Sequence, residues 1–141
     1  MPNEKQEGSR YRAMTAQAWS GMLAVLLAML VADLDRLAMR GSYEDLAESL
    51  SGDPGVGGLW ILTGLICANA LLQVAIRTFD ARSFRRAVFW LSAAYTAFFV
   101  VHQVVHIWSG ERFTLHTILD VTHHVLGVWA CWASSHWLRA A

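Results

Sequence analysis

Four long apolar stretches, residues 16–37, 56–79, 87–108 and 115–138, alternate with short polar breaks along the chain. A helix needs about 20 residues to cross a hydrocarbon layer roughly 30 Å thick, and each stretch meets or approaches that length. The first holds the uniform run GMLAVLLAMLVA, and none of the first three carries the continuous charged face that an amphipathic helix turns to water. The pattern predicts an all-α polytopic membrane protein: one integral membrane domain over residues 1–141, folded as an antiparallel four-helix transmembrane bundle surrounded by lipid.

The breaks between stretches are short, with one exception. Residues 38–55 include SYEDLAESL, in which Leu46 and Leu50 fall at helical spacing, so a short amphipathic helix is expected on the outer surface. Asp53-Pro54-Gly55 then ends it. The second connection, FDARSFRR, is too short to hold a domain. The amino terminus, MPNEKQEGSRYRAM, lacks the brief apolar core and small-residue cleavage site of a removable signal, which predicts that the first helix stays as a signal anchor.

Composition agrees with this pattern, since 55% of the 141 residues are hydrophobic and only 16% are charged. Although the formal net charge is zero, the charges are sorted by side. Lys5, Arg10, Arg12, Arg77, Arg82, Arg85, Arg86 and Arg139 fall on one side of an even-numbered bundle. The other side receives Glu44, Asp45, Glu48, Asp53 and Glu111 together with Arg36, Arg40 and Arg112. Basic residues near span ends stay inside, so both termini are expected in the cytoplasm, with a bacterial inner membrane as the expected location. Trp19, Trp90 and Trp137 near the inner ends and Trp60 and Trp108 near the outer ends suit the headgroup level. Cys67 and Cys131 stand alone in apolar helices and read as packing residues. No phosphate loop or nucleic-acid motif is present, and no nucleic-acid partner is expected.

The candidate chemistry is concentrated in VHQVVHIWSGERFTLHTILDVTHHV, residues 101–125, which contains five of the six histidines. His102 and His106 are four residues apart and share a helix face. Beyond the SGE break, His116, Asp120 and His123 share another, within about 60° of arc at 100° per residue, while His124 stands about 80° from His116. An antiparallel hairpin brings the two stripes to one depth in the outer half of the bundle. Asp33, about one turn from the outer end of the first span, is placed at a similar level. Histidine and carboxylate side chains in hydrocarbon are costly without partners, and a metal ion supplies one to each of them. His102, His106, His116, Asp120, His123 and Asp33 are therefore the candidate ligands of a transition metal, whether zinc, copper or iron.

Two other readings fit the same residues. In a haem b site, His102 or His106 would face His123 or His124 across the macrocycle, with Gly64 or Gly127 giving room; His102 and His124 are one such axial pair. In a structural or proton-conducting network, the histidines would satisfy one another, Gln103, Thr117, Thr122 or water. Asn69 and Gln73 could extend a polar path inward, and Tyr95 could support the site from below. The spacings HisxxxHis at 102–106 and AspxxHisHis at 120–124 resemble fragments of the histidine boxes of membrane di-iron hydroxylases and desaturases. That resemblance covers residues 102–124 alone, and the further boxes of those larger enzymes are missing from this chain. The residues specify no reaction. The expected roles are metal handling, electron transfer or service as an accessory subunit, alone, as a homo-oligomer or within a larger membrane complex.

Overall fold

The computed structural model describes residues 4–38, 56–108 and 115–140, and every element in them is helical. Helix α1 runs Glu4–Ala38, α2 Val56–Thr78, α3 Arg82–Trp108 and α4 Leu115–Arg139. The amphipathic helix expected around residues 42–50 lies outside the described residues. Two helical segments, Lys5–Ala32 and Arg82–Val105, are long and apolar enough to cross a membrane, and Thr63–Thr78 forms a shorter apolar helix.

Buried positions in each helix recur at alternating steps of three and four residues, the spacing that keeps one seam facing a neighbour. On α1 they are Thr15, Ala18, Met22, Val25 and Met29, widened by Ala16, Trp19 and Leu26. On α4 they are His123, Gly127, Ala130, Ala133, Ser134 and Trp137. The corresponding positions are Asn69 and Ile76 on α2, and Val88, Ser92 and Phe99 on α3. Opposite faces stay apolar and exposed in all four helices, as Val31, Leu71, Trp90 and Val125 illustrate.

Helix α1 packs against α2 and α4, and α3 packs against α4. All three pairs are antiparallel: Gly8 lies at Ala140 and Gly21 at Leu126, Arg12 reaches Ile76, and Arg85 reaches Trp137. The start of α1, the α2–α3 turn and the end of α4 therefore share one end of the molecule, bringing together the basic groups expected to lie on one side.

Helix α1 begins at Glu4, well before the apolar stretch at residue 16. The extension is held by contacts that hydropathy does not register. The Tyr11 ring stacks on His136 at 4.7 Å and meets Trp132 edge-on at 5.8 Å. Gly8 approaches α4 so closely that an added Cβ would lie 3.2 Å from the Ala140 carbonyl oxygen.

Arginines close this end. The last carbonyls of a helix have no partner within it. Arg12 of α1 donates from Nε to the Ile76 carbonyl at 2.6 Å and from Nη2 to the Arg77 carbonyl, both at the end of α2. Arg85, in the first turn of α3, donates from Nη1 to the carbonyls of Trp137 and Ala140 at 3.1 and 2.8 Å, at the end of α4. It also pairs through Nε with Asp80 Oδ1 at 3.0 Å, and that same oxygen accepts from Trp137 Nε1 at 3.1 Å. One turn residue thus joins the α2–α3 connection to α4.

Helices α3 and α4 cross closely at Gly127, where an added Cβ would stand 2.7 Å from Thr96 Oγ1. Overpacking of this kind costs about 1–3 kcal/mol. Gly127→Ala should lower the thermal midpoint of the purified protein, and adding Thr96→Ala should recover part of the loss because the clashing oxygen is gone. Equal midpoints for wild type and Gly127→Ala would contradict this crossing.

Candidate functional site

Above the Gly127–Thr96 crossing, the α3–α4 seam continues outward with Tyr95 and Phe99 on α3 facing His123 on α4. His123 is 1% exposed. Its ring stacks on Phe99 at a centroid distance of 4.5 Å and 17°, and on Tyr95 at 5.4 Å and 28°. This orientation follows from the heptad spacing, because His123 lies four residues before Gly127 and seven before Ala130 on the face that α4 buries. Tyr95 in turn leans on Trp19 of α1 at 5.3 Å, and the Trp19 indole N–H donates to Ser92 Oγ at 3.2 Å. The clamp on His123 is therefore supported from a third helix.

His124 is one residue further along and so points about 100° away around the helix. Its Nδ1–H donates to the Asp120 carbonyl oxygen one turn back. That bond places the proton on Nδ1 and leaves the Nε2 lone pair free to accept a hydrogen or bind a metal.

Polar atoms in this region are buried without hydrogen-bond partners among the described residues: both ring nitrogens of His123, His124 Nε2, the Tyr95 hydroxyl and Gln103 Oε1. Each unpaired buried polar group costs about 1–3 kcal/mol. Deeper in the bundle, by contrast, Ser20 donates to Gln73 Oε1 at 2.7 Å, and Gln73 Nε2 donates to Asn69 Oδ1 at 2.8 Å and to the Trp19 carbonyl at 3.3 Å. Asn69 Nδ2 alone in that chain has no partner. The hydrogen bonds of Asn69 and Gln73 join α2 to α1 and so serve helix packing.

The expected ligands are distributed unevenly. His123 faces the interior, Asp120 is half-buried one turn from His124, and His102 is exposed on α3. The side chains of His106, His116 and Asp33 lie outside the described residues. Among the described residues, no three His, Cys, Asp or Glu side chains form a group that could hold a metal ion. Phe99 is the common neighbour of three histidines, with its ring 6.3 Å from His102, 4.5 Å from His123 and 6.2 Å from His124. Sequence reasoning passed over Phe99, although it lies three residues before His102 and continues the Val88–Ser92 seam.

The two glycines expected to make room for a macrocycle differ. Gly127 is filled by Thr96, whereas nothing lies within 4 Å of a Cβ added at Gly64. His136, at the basic end, packs between Tyr11 and Trp132 and belongs to the α1–α4 contact. No protein-family model, no curated protein and no solved structure matches this chain.

The unpaired imidazole allows a direct separation of folding from function. His123 makes no hydrogen bond among the described residues that a substitution could remove, so His123→Leu, which keeps an apolar side chain on the seam, should leave the thermal midpoint of the purified protein unchanged or raise it. A drop comparable to that of a lost buried hydrogen-bond network would show that His123 serves the fold through its nitrogens.

Proposed function

We propose that the chain is a small integral membrane protein, with its four helices as spans, that binds a transition metal or metal cofactor through His123 and His124. Its role is metal handling, electron transfer or accessory service to a larger membrane assembly. The carrying observation is the set of buried imidazole nitrogens that have no hydrogen-bond partner among the described residues: Nδ1 and Nε2 of His123 and Nε2 of His124. A burial cost with no compensating protein contact is what a ligand would offset, and neutral imidazole is a good donor for zinc, copper or iron.

The surroundings suit this reading. Phe99 and Tyr95 hold the His123 ring in one plane, and the Asp120 carbonyl fixes the His124 tautomer, as outer partners do for metal-binding histidines. Adjacent residues on a helix diverge, so His123 and His124 address different directions, and a complete coordination shell takes further donors. His102, His106, His116, Asp120 and Asp33 remain the proposed contributors. The same residues provide histidines for haem b, with His102 opposite His124, and this is the second reading.

The membrane reading itself is supported by the apolar outward faces of all four helices and by the two segments long enough to span. With the basic end inside, the termini are cytoplasmic and the histidines lie in the outer half.

Metal analysis together with an optical spectrum of gently solubilised protein tests the site. Wild type should carry a transition metal, His123→Ala and His124→Ala should each lose most of it, and His136→Ala should retain it. An intense Soret band would assign the site to haem. Metal-free wild type after growth with zinc, copper and iron, or full occupancy in both variants, would overturn the proposal.

A further inference from the structure

At the basic end, away from the histidines, α1 and α2 enclose a groove of about 370 Å³ lined by Ser9, Arg12, Ala13, Ala16, Gln17 and Arg77. Its size falls within the roughly 300–1,000 Å³ of small-molecule sites. The α1 residues follow the spacing i, i+3, i+4, i+7, i+8, so they form one continuous face. Ser9, Ala13 and Ala16 make a floor of small side chains beside Arg12, with Gln17 at the far edge.

The charge in the groove is one-sided. Arg12 is held in place by the carbonyls of Ile76 and Arg77, which occupy two of its N–H donors. A guanidinium has five, so three remain for another acceptor. The Arg77 guanidinium has no hydrogen bond or ion pair among the described residues, and no carboxylate lines the groove. Two guanidinium groups with a serine hydroxyl and a carboxamide match a phosphate, whose oxygens accept charge-assisted hydrogen bonds from planar N–H pairs.

We infer that this groove is an anion site for a phosphate group, namely the phosphodiester headgroup of an anionic lipid. The lipid source rests on the membrane reading above. Arg12 lies four residues, about 6 Å, before the first apolar stretch, and Arg77 lies at the end of the second, so both guanidiniums reach headgroup depth. Bound lipid would then reinforce the α1–α2 contact that Arg12 already closes.

Full-length protein in mixed vesicles and native mass spectrometry give the test. Phosphatidylglycerol should remain bound to wild type in preference to phosphatidylcholine. Arg77→Gln, which leaves the backbone carbonyl accepting from Arg12 in place, should weaken retention about tenfold, the loss of one charged pair. Ser9→Trp, which fills the groove, should abolish it. Arg82→Gln removes the same charge from an exposed position outside the groove and should leave retention unchanged. Inorganic phosphate that binds with the same Arg77 sensitivity, without lipid preference, would assign the groove to free phosphate and overturn the lipid source. Equal losses in Arg77→Gln and Arg82→Gln would reduce the effect to diffuse basic charge and overturn the site. Flotation with phosphatidylcholine vesicles separately reports membrane insertion: chain that floats but shows no phosphatidylglycerol preference sinks this inference while leaving the membrane reading intact.

Discussion

Close approach of α4 to two neighbours at once is the constraint on which the rest depends. Its buried seam is built largely from small side chains, Gly127, Ala130, Ala133 and Ser134, so that α1 and α3 can both come near. Where backbones come this close, van der Waals contact and interhelical polar contacts are the terms that hold the three helices together. Thr96 fills the notch at Gly127, and Leu126 lies against Gly21 of α1. These two contacts fix the register of α4 against both partners. That register carries His123 into the interior against Tyr95 and Phe99.

Polar satisfaction changes along the bundle axis. At the basic end, Arg12 and Arg85 cap the final carbonyls of α2 and α4, and Asp80 ties the turn to Trp137. In the middle, Ser20, Gln73 and Asn69 link α1 to α2, while Ser92 accepts from Trp19. Toward the other end, both His123 ring nitrogens, His124 Nε2, the Tyr95 hydroxyl and Gln103 Oε1 have no hydrogen-bond partner among the described residues. That contrast along the axis is what the proposed binding site rests on, whereas His136 packs against Tyr11 and Trp132.

Apolar periodicity located all four helices, because length and hydropathy are properties of local sequence. The ends were less legible. Helix α1 extends back to Glu4 because Tyr11 finds His136 and Gly8 admits Ala140, contacts between residues more than 100 positions apart in sequence. The arginines are visible in the sequence as a charge bias, but their capping of distant carbonyls depends on which helix ends meet. In the same way, i,i+4 spacing placed His102 and His106 on one face without showing that Phe99 would occupy the seam next to His102 and His123.

The sequence by itself determined that the chain is helical, that its helices are apolar on their outward faces, that basic residues gather at one end and that histidines gather toward the other. Those are consequences of composition and of a period of 3.6 residues, which neighbours in sequence impose on each other. Only the tertiary structure decided which histidine is enclosed. His123 and His124 are adjacent and chemically identical, yet the α4 register packs one against Tyr95 and Phe99 and turns the other back to the Asp120 carbonyl. The distinction arises where small side chains let three helices approach, and no local rule in the sequence states how near they come.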